Sequence, residues 1–315
     1  MNRTEPVTRR THRRHEPGLD VVEPGPLATI QDLGRPGLAE IGVGTSGAAD
    51  RGSLRLANRL VGNDEGAAAV EVTLGGLVVR AREALTVAVT GAPCPITVNG
   101  RGAAPNTVLR LPAGAQLCLG RPDRGLRSYL AVRGGIAVEP VLGSRSTDVL
   151  AGLGPDPLTS GTLLPVGPAP AEFPTVETAP VAPPGAGEIS LAVVTGPRDD
   201  WFTEQALATL LGEPYEVTPD SNRIGMRLSG PVPARRTDTE LPSEGMVAGS
   251  VQVPPSGRPT LFLADHPSTG GYPVIAVVVS SDVDAAAQAR PGQRIRFHRT
   301  DPDRPRSARR RRLPH

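Results

Sequence analysis

GLVVRAREALTVAVTGAPCPITVNGRGAAPNTVLRLPAGAQLCLGRPDRGLRSYLAV, residues 76–132, decides the fold. Residues 76–81, 85–90, 96–99, 107–111, 116–119 and 128–132 are short strand-like runs, punctuated by turn residues such as Asn99-Gly100 and Pro112-Ala113-Gly114. Strands this short, spaced near ten residues with no helix between them, specify a barrel or sandwich; a parallel sheet would need helical crossovers. The fold class expected from this stretch is mainly β.

Working outward, one helix interrupts the pattern. Asp50 can cap it, Leu54, Ala57, Leu60 and Val61 share a face, and Gly62-Asn63 supplies a left-handed stop. A second helix is expected at 199–211, with Phe202, Ala206, Leu207, Leu210 and Leu211 as its apolar stripe and Gly212 as cap, and a short third at 283–289. Residues 189–194, 227–228, 249–253, 260–264, 274–280 and 294–298 read as strands of a second β unit. Nine prolines between Pro155 and Pro184 mark an extended connection. The expected division is therefore a tail at 1–18, a β unit at 19–154, a Pro-rich connection at 155–187, a second β unit at 188–298 and a tail at 299–315. A shared phrase, 111–116 in one half and 289–293 in the other, hints at duplication.

All 34 basic residues are arginine. A P-loop lysine, a Schiff-base lysine and a biotinylated lysine are each excluded in this chain. The basic pI, about 8.8, comes from the ends: residues 17–298 keep 22 Arg against 28 acids, a net charge of −6. Such Arg runs at polar termini read as disordered tails. With 3% aromatic residues, a base-stacking surface is missing, and no nucleic-acid partner is expected. Cys94 and Cys118 each lie in apolar runs and read as free thiols of a reducing compartment. No run is long enough to span a membrane and no signal-peptide core is present, so a cytoplasmic location is expected.

The stretch 240–273 concentrates candidate chemistry around one apolar strand. Asp265-His266 follows the strand, and His266 is one of two histidines outside the termini, with His298. The dipeptide suits either a proton-handling pair or a turn in which Asp caps the loop and His fills a gap. Glu244, beside Ser243 and four residues after Glu240, suits either an embedded acid or a solvated one. No metal site is expected, because no HxxH, HxH or Cys/His cluster accompanies His266. Gly42-Val43-Gly44-Thr45-Ser46-Gly47 is a formal GxGxxG, but a β meander follows its helix, so it reads as a glycine-rich turn. The amides from Ser46 to Asp50 could still hold an anion at the helix start. Arg133, Arg145 and Arg223 are candidate forks for carboxylates or phosphates, and Gln252, Gly270, Gly271 and Tyr272 are candidates for orienting a substrate.

TIQDLGRPG from Thr29, SGAAD from Ser46, LANRLVGN from Leu56, RSYLAVRGGI from Arg127, LGSRSTD from Leu142, PDSNRIGMRL from Pro219, and ELPSEGM through DHPSTGGYP together resemble the biotin-dependent carboxyltransferase-like family. That family holds 5-oxoprolinase C subunits, allophanate-hydrolase-subunit-2 proteins and Kip-type regulators, and the resemblance covers about residues 20–298. It implies cyclophilin-like β barrels and partner subunits. For the stand-alone members it implies an ATP-dependent opening of the lactam of 5-oxo-L-proline to L-glutamate, with subunits A and B and with ATP held by the complex. Two further readings stay open: a binding regulator that relieves a kinase inhibitor, and a carboxyltransferase for urea or another amide with biotin on another chain.

Overall fold

A computed structural model describes residues 17–237, 239 and 241–301. The Arg-rich ends lie almost wholly outside the described residues, and so does Glu240. Among the described residues the chain is mainly β with three α-helices, in two units.

The first unit stacks two antiparallel sheets. One runs Leu163–Pro165, Gly18–Pro24, Leu77–Ala81, Gln116–Leu119, Ile96–Val98 and Arg101–Ala103; the other runs Leu27–Gln31, Ala69–Thr73, Arg127–Val132, Leu85–Gly91 and Val108–Leu111. Their facing side chains, among them Leu19, Val79, Leu117, Val87 and Leu130, form one core. All six residues of Arg127–Val132 are buried, because the strand is covered on both faces: Leu130 and Val132 enter the core between the sheets, while Tyr129 and Ala131 pack against helix α1, Arg51–Leu60. The helix presents Leu54, Ala57 and Leu60 to that sheet, and Asp50 caps it by accepting the Ser53 amide at 2.9 Å.

The second unit is a closed barrel in the order Ile189–Thr195, Val274–Val278, Ser250–Gln252, Thr260–Phe262, Gly225–Ser229, Tyr215–Val217 and Arg294–Arg299, the last strand pairing parallel with the first. Leu191, Tyr215, Leu228, Val251, Leu261, Ile275 and Phe297 belong to its core. Helix α2, Glu204–Gly212, adds Ala206 and Leu210 to that core, and helix α3, Ser280–Ala287, adds Ala286. The expected second helix is thus shorter at its start. Asp199–Trp201 is a 3-10 turn, and Phe202 is extended with its ring in the barrel core, so that α2 begins only after Thr203.

Two further differences from the sequence reading concern pairing. Gly18–Pro24, Leu27–Gln31 and Ala69–Thr73 are strands that it passed over; the first carries a bulge between Val21 and Glu23 that breaks its alternation. Leu163–Pro165 lies within the proline-rich stretch and pairs with Gly18–Asp20 at the edge of the first sheet, where proline is tolerated. Cys94 and Cys118 are both free. No helix among the described residues is long and apolar enough to cross a membrane.

Candidate functional site between the two units

The site is built on a charge cluster that sequence distance conceals. Asn222 accepts the amides of Ile224 and Gly225 at 2.9 and 3.1 Å, an Asx turn at the start of a barrel strand. Next to it Arg223, only 1% exposed, reaches into the first unit. Its guanidinium grips Asp265 bidentately, with Nε and Nη2 each at 2.9 Å, donates through Nη1 to Glu71, and donates to the Gly47 carbonyl at 2.6 Å. Asp265 also accepts the Ser46 hydroxyl at 2.7 Å and the Val149 amide at 3.2 Å. Glu71 lies opposite Tyr129 in the sheet register and accepts its hydroxyl at 2.7 Å and the Ala49 amide at 3.0 Å. Arg127 stands 3.4 Å from Glu71 and donates to the Ala287 carbonyl of α3. Burial works to raise the Glu71 pKa, but Arg223, Arg127, the Ala49 amide and Tyr129 outweigh it and hold the carboxyl below its usual range. Arg223 is likewise raised: burial opposes its charge, and Glu71 and Asp265 overcome that.

Asp265 and His266 therefore do not form a pair. One faces the buried cluster; the other lines a cleft of about 650 Å³ between residues 36–55 of the first unit and residues 246–284 of the barrel. The His266 Nδ1 lies 2.8 Å from the Pro267 carbonyl oxygen. A carbonyl can only accept, so Nδ1 carries a proton and Nε2 is the nitrogen at which a proton comes and goes. The loop is tied across the cleft by Ser268, which donates to the Gly42 carbonyl at 3.2 Å. Four ionisable side chains line this cleft: Arg51, Arg55, His266 and Asp284.

Asp284 accepts the Arg51 amide at 3.0 Å and the Gly52 amide at 3.1 Å, so the anion at the start of α1 is an internal carboxylate. This corrects the expected anion site at Ser46–Asp50. Asp50 serves as the cap and accepts Gln288 at 2.6 Å, and Ser46 belongs to the buried cluster. Burial, and then the Asp50 carboxyl, push Asp284 up to about 6 against the two amides and the Arg51 charge. Asp50 is itself raised by burial against its bonds to Gln288 and Ser53. Gly47 has φ +94°, and a side chain there would meet the Gly34 amide nitrogen at 2.7 Å. Gly47 is thus packed against the backbone of its own unit, where a side chain could not fit.

The remaining candidates lie elsewhere. Arg133 donates to the carbonyls of Val61, Pro170 and Glu172 and stacks 4.6 Å from the Phe173 ring centre, clamping the proline-rich strap. The Arg145 side chain donates to the Val138 carbonyl at 2.7 Å. Its amide joins that of Gly34 and the hydroxyls of Ser144 and Ser146 on Asp32, the contact that unites TIQDLG with LGSRSTD. Arg133, Arg145 and Arg223 are thus engaged within the chain, and none of them lines the cleft. Glu244 pairs with Gly270 in a two-stranded ribbon and binds Arg198, which pulls its pKa down. Gln252 donates to the Tyr272 carbonyl at 3.0 Å, and Gly271 accepts the Leu241 amide at 3.3 Å. These five residues brace the His266 loop from behind. Glu71, Tyr129, Arg51, Arg55 and Asp284 are residues of the cluster and cleft that the sequence motifs did not single out. Glu71 alone carried a signal, as a lone acid flanked by valines in a strand.

The fold of a closed barrel beside a two-sheet unit is shared with known proteins. The chain belongs to the family described as carboxyltransferase domain, subdomain A and B, whose model matches residues 41–299. It is 39% identical over 282 residues to the C subunit of 5-oxoprolinase from Escherichia coli, spanning 89% of this chain and 90% of that one. Among solved structures, TTHA0988 superposes with a TM-score of 0.81 at 36% identity, covering 90% of this chain and 56% of that chain. The urea amidolyase of K. lactis superposes with a TM-score of 0.84 at 30% identity, covering 90% of this chain and 19% of that chain. The chain spans a little over half of TTHA0988 and about a fifth of the amidolyase.

Proposed function

We propose that this chain is the C-type subunit of an ATP-dependent 5-oxoprolinase, an amidohydrolase that opens 5-oxo-L-proline to L-glutamate with A and B subunits. The observation that carries the reading is the 39% identity to the E. coli protein over 89% of this chain and 90% of that one. The chemistry of the cleft suits it. A cleft of this volume holds a small ligand, Arg51 and Arg55, which also contact the Ser46 carbonyl and Glu65, line it as two cations for the carboxylate of oxoproline, and His266 offers Nε2 for moving a proton.

Among the described residues, the candidates for holding phosphates do not fit a nucleoside triphosphate. The amides at the start of α1 already hold the carboxylates of Asp50 and Asp284, and Arg133, Arg145 and Arg223 already bind carbonyls or carboxylates. ATP is therefore assigned to the partner subunits. A second reading, a carboxyltransferase subunit acting on urea with biotin supplied on another chain, draws on the TM-score of 0.84 to the urea amidolyase.

The test is reconstitution with A and B subunits. Glutamate released from 5-oxoproline only when ATP is present supports the oxoprolinase reading. Turnover that requires a biotinylated protein supports the second, and turnover that is equal without ATP sinks the first.

A further inference from the structure

We infer that Asp284 is the general base of this cleft, taking a proton from the water that attacks the substrate's amide carbon. The inference deepens the oxoprolinase reading and rests on it, because carboxyl transfer would use no such water. Asp284 is the one carboxylate among the residues that line the cleft, which also holds His266, Arg51 and Arg55. It also lines a second cavity of about 430 Å³, so it borders both spaces.

Its position is held from both units. Helix α3 of the barrel carries it, and the amides of Arg51 and Gly52 in the first unit each donate to one of its oxygens. Each carboxylate oxygen has a second acceptor site, so both remain able to take a proton. The charged groups around it are Asp50 and Arg51 from the start of α1, with Arg55 and His266 in the same cleft; Gln288 just beyond its own helix binds Asp50. Asp284 titrates at about 6, which leaves it ionised yet basic at neutral pH.

The step balances. At the partner subunits the lactam oxygen bonds to the γ-phosphorus of the nucleoside triphosphate as the bond to the diphosphate breaks. A water O–H bond then breaks, its proton goes to Asp284, and its electron pair forms the bond to carbon while the carbon–nitrogen π pair moves to the ring nitrogen, which takes a proton from Nε2 of His266. A lone pair of the new hydroxyl oxygen re-forms a carbonyl as the carbon–nitrogen σ bond breaks, the nitrogen keeping that pair and the proton the hydroxyl gives up, and the acyl phosphate left behind releases phosphate to a second water to give L-glutamate.

The experiment uses the reconstituted complex with 5-oxoproline and ATP. For Asp284→Asn, kcat should fall roughly 100-fold or more with KM nearly unchanged, and the rise of kcat/KM with pH near 6 should vanish. ATP consumption driven by 5-oxoproline should persist in that variant without matching glutamate release. A variant within about threefold of wild type, or one whose pH profile keeps the limb, overturns the inference. If Asp284→Asn fails to assemble, Asp284→Glu takes its place: a displaced pH limb supports the role and an unmoved one overturns it. A wild-type complex with no oxoprolinase activity refutes the underlying function; an active wild type with an unaffected Asp284→Asn refutes this inference alone.

Discussion

Arg223 is the residue on which the two units meet. Its guanidinium neutralises Glu71 and Asp265, which are as buried as it is, so Arg223→Ala strips Asp265 of its ion-pair partner and leaves Glu71 with Arg127 alone. That substitution should cost about 3–5 kcal/mol in chemical denaturation, since breaking a buried ion pair strands a charge; a loss under about 1 kcal/mol would contradict the cluster. Glu71 sets an acid limit. Its folded pKa lies below the ordinary value of 4.5, so its contribution is present above pH 4.5 and is lost as pH falls through the folded value. Stability measured by urea from pH 7 downward should drop in that window, and Glu71→Gln should flatten the drop. Asp284 has the opposite sign: raised from 3.8 to about 6, its contribution is full below 3.8 and lost as pH rises through about 6.

At this scale the sequence singles out Arg223, Asp265, Ser46 and His266, but not the partners that the fold gives them. Arginines at 133, 145 and 223 look alike in a string of letters. Only the fold shows that the first two bind backbone carbonyls and the third binds carboxylates.

Among the elements, α1 was the most legible. Its cap, its apolar stripe and its glycine stop are local signals, and each is present: Asp50 caps, Leu54, Ala57 and Leu60 are buried, and Gly62 has φ +72°. What local signals cannot carry is the second use of Asp50, as the acceptor for Gln288 from the barrel. Asp50→Ala should therefore cost about 1–2 kcal/mol, the upper end of a helix-cap loss, and should weaken docking of α3 as well as the helix. Hydrogen exchange at the first turn of α1 and in α3 would check both effects. The strand at 18–24 was hidden by a bulge that breaks its alternation, and those at 27–31 and 69–73 by burial on both faces, which leaves no alternation to read. The start of α2 was displaced because Phe202 gains more from the barrel core than from one further helical turn.

In the whole molecule, a mainly β fold in two units was readable from strand spacing, and membership of the carboxyltransferase family was readable from ordered motifs. The cleft was not, because its lining comes from residues near 36–55 and near 246–284, which only the packing of a barrel against a two-sheet unit brings together. Arg127, Arg223, Asp284 and Gln288 join those units by charge and hydrogen bonds, so the cleft walls are held by the same groups that hold the fold. The central claim is that this cleft serves lactam opening within a multi-subunit enzyme. The direct test is glutamate release from 5-oxoproline by the complex with A and B subunits, comparing wild type with His266→Ala at equal assembly. ATP-dependent release that falls roughly 100-fold in the variant is the predicted result; release independent of ATP, or unchanged by His266→Ala, would contradict it.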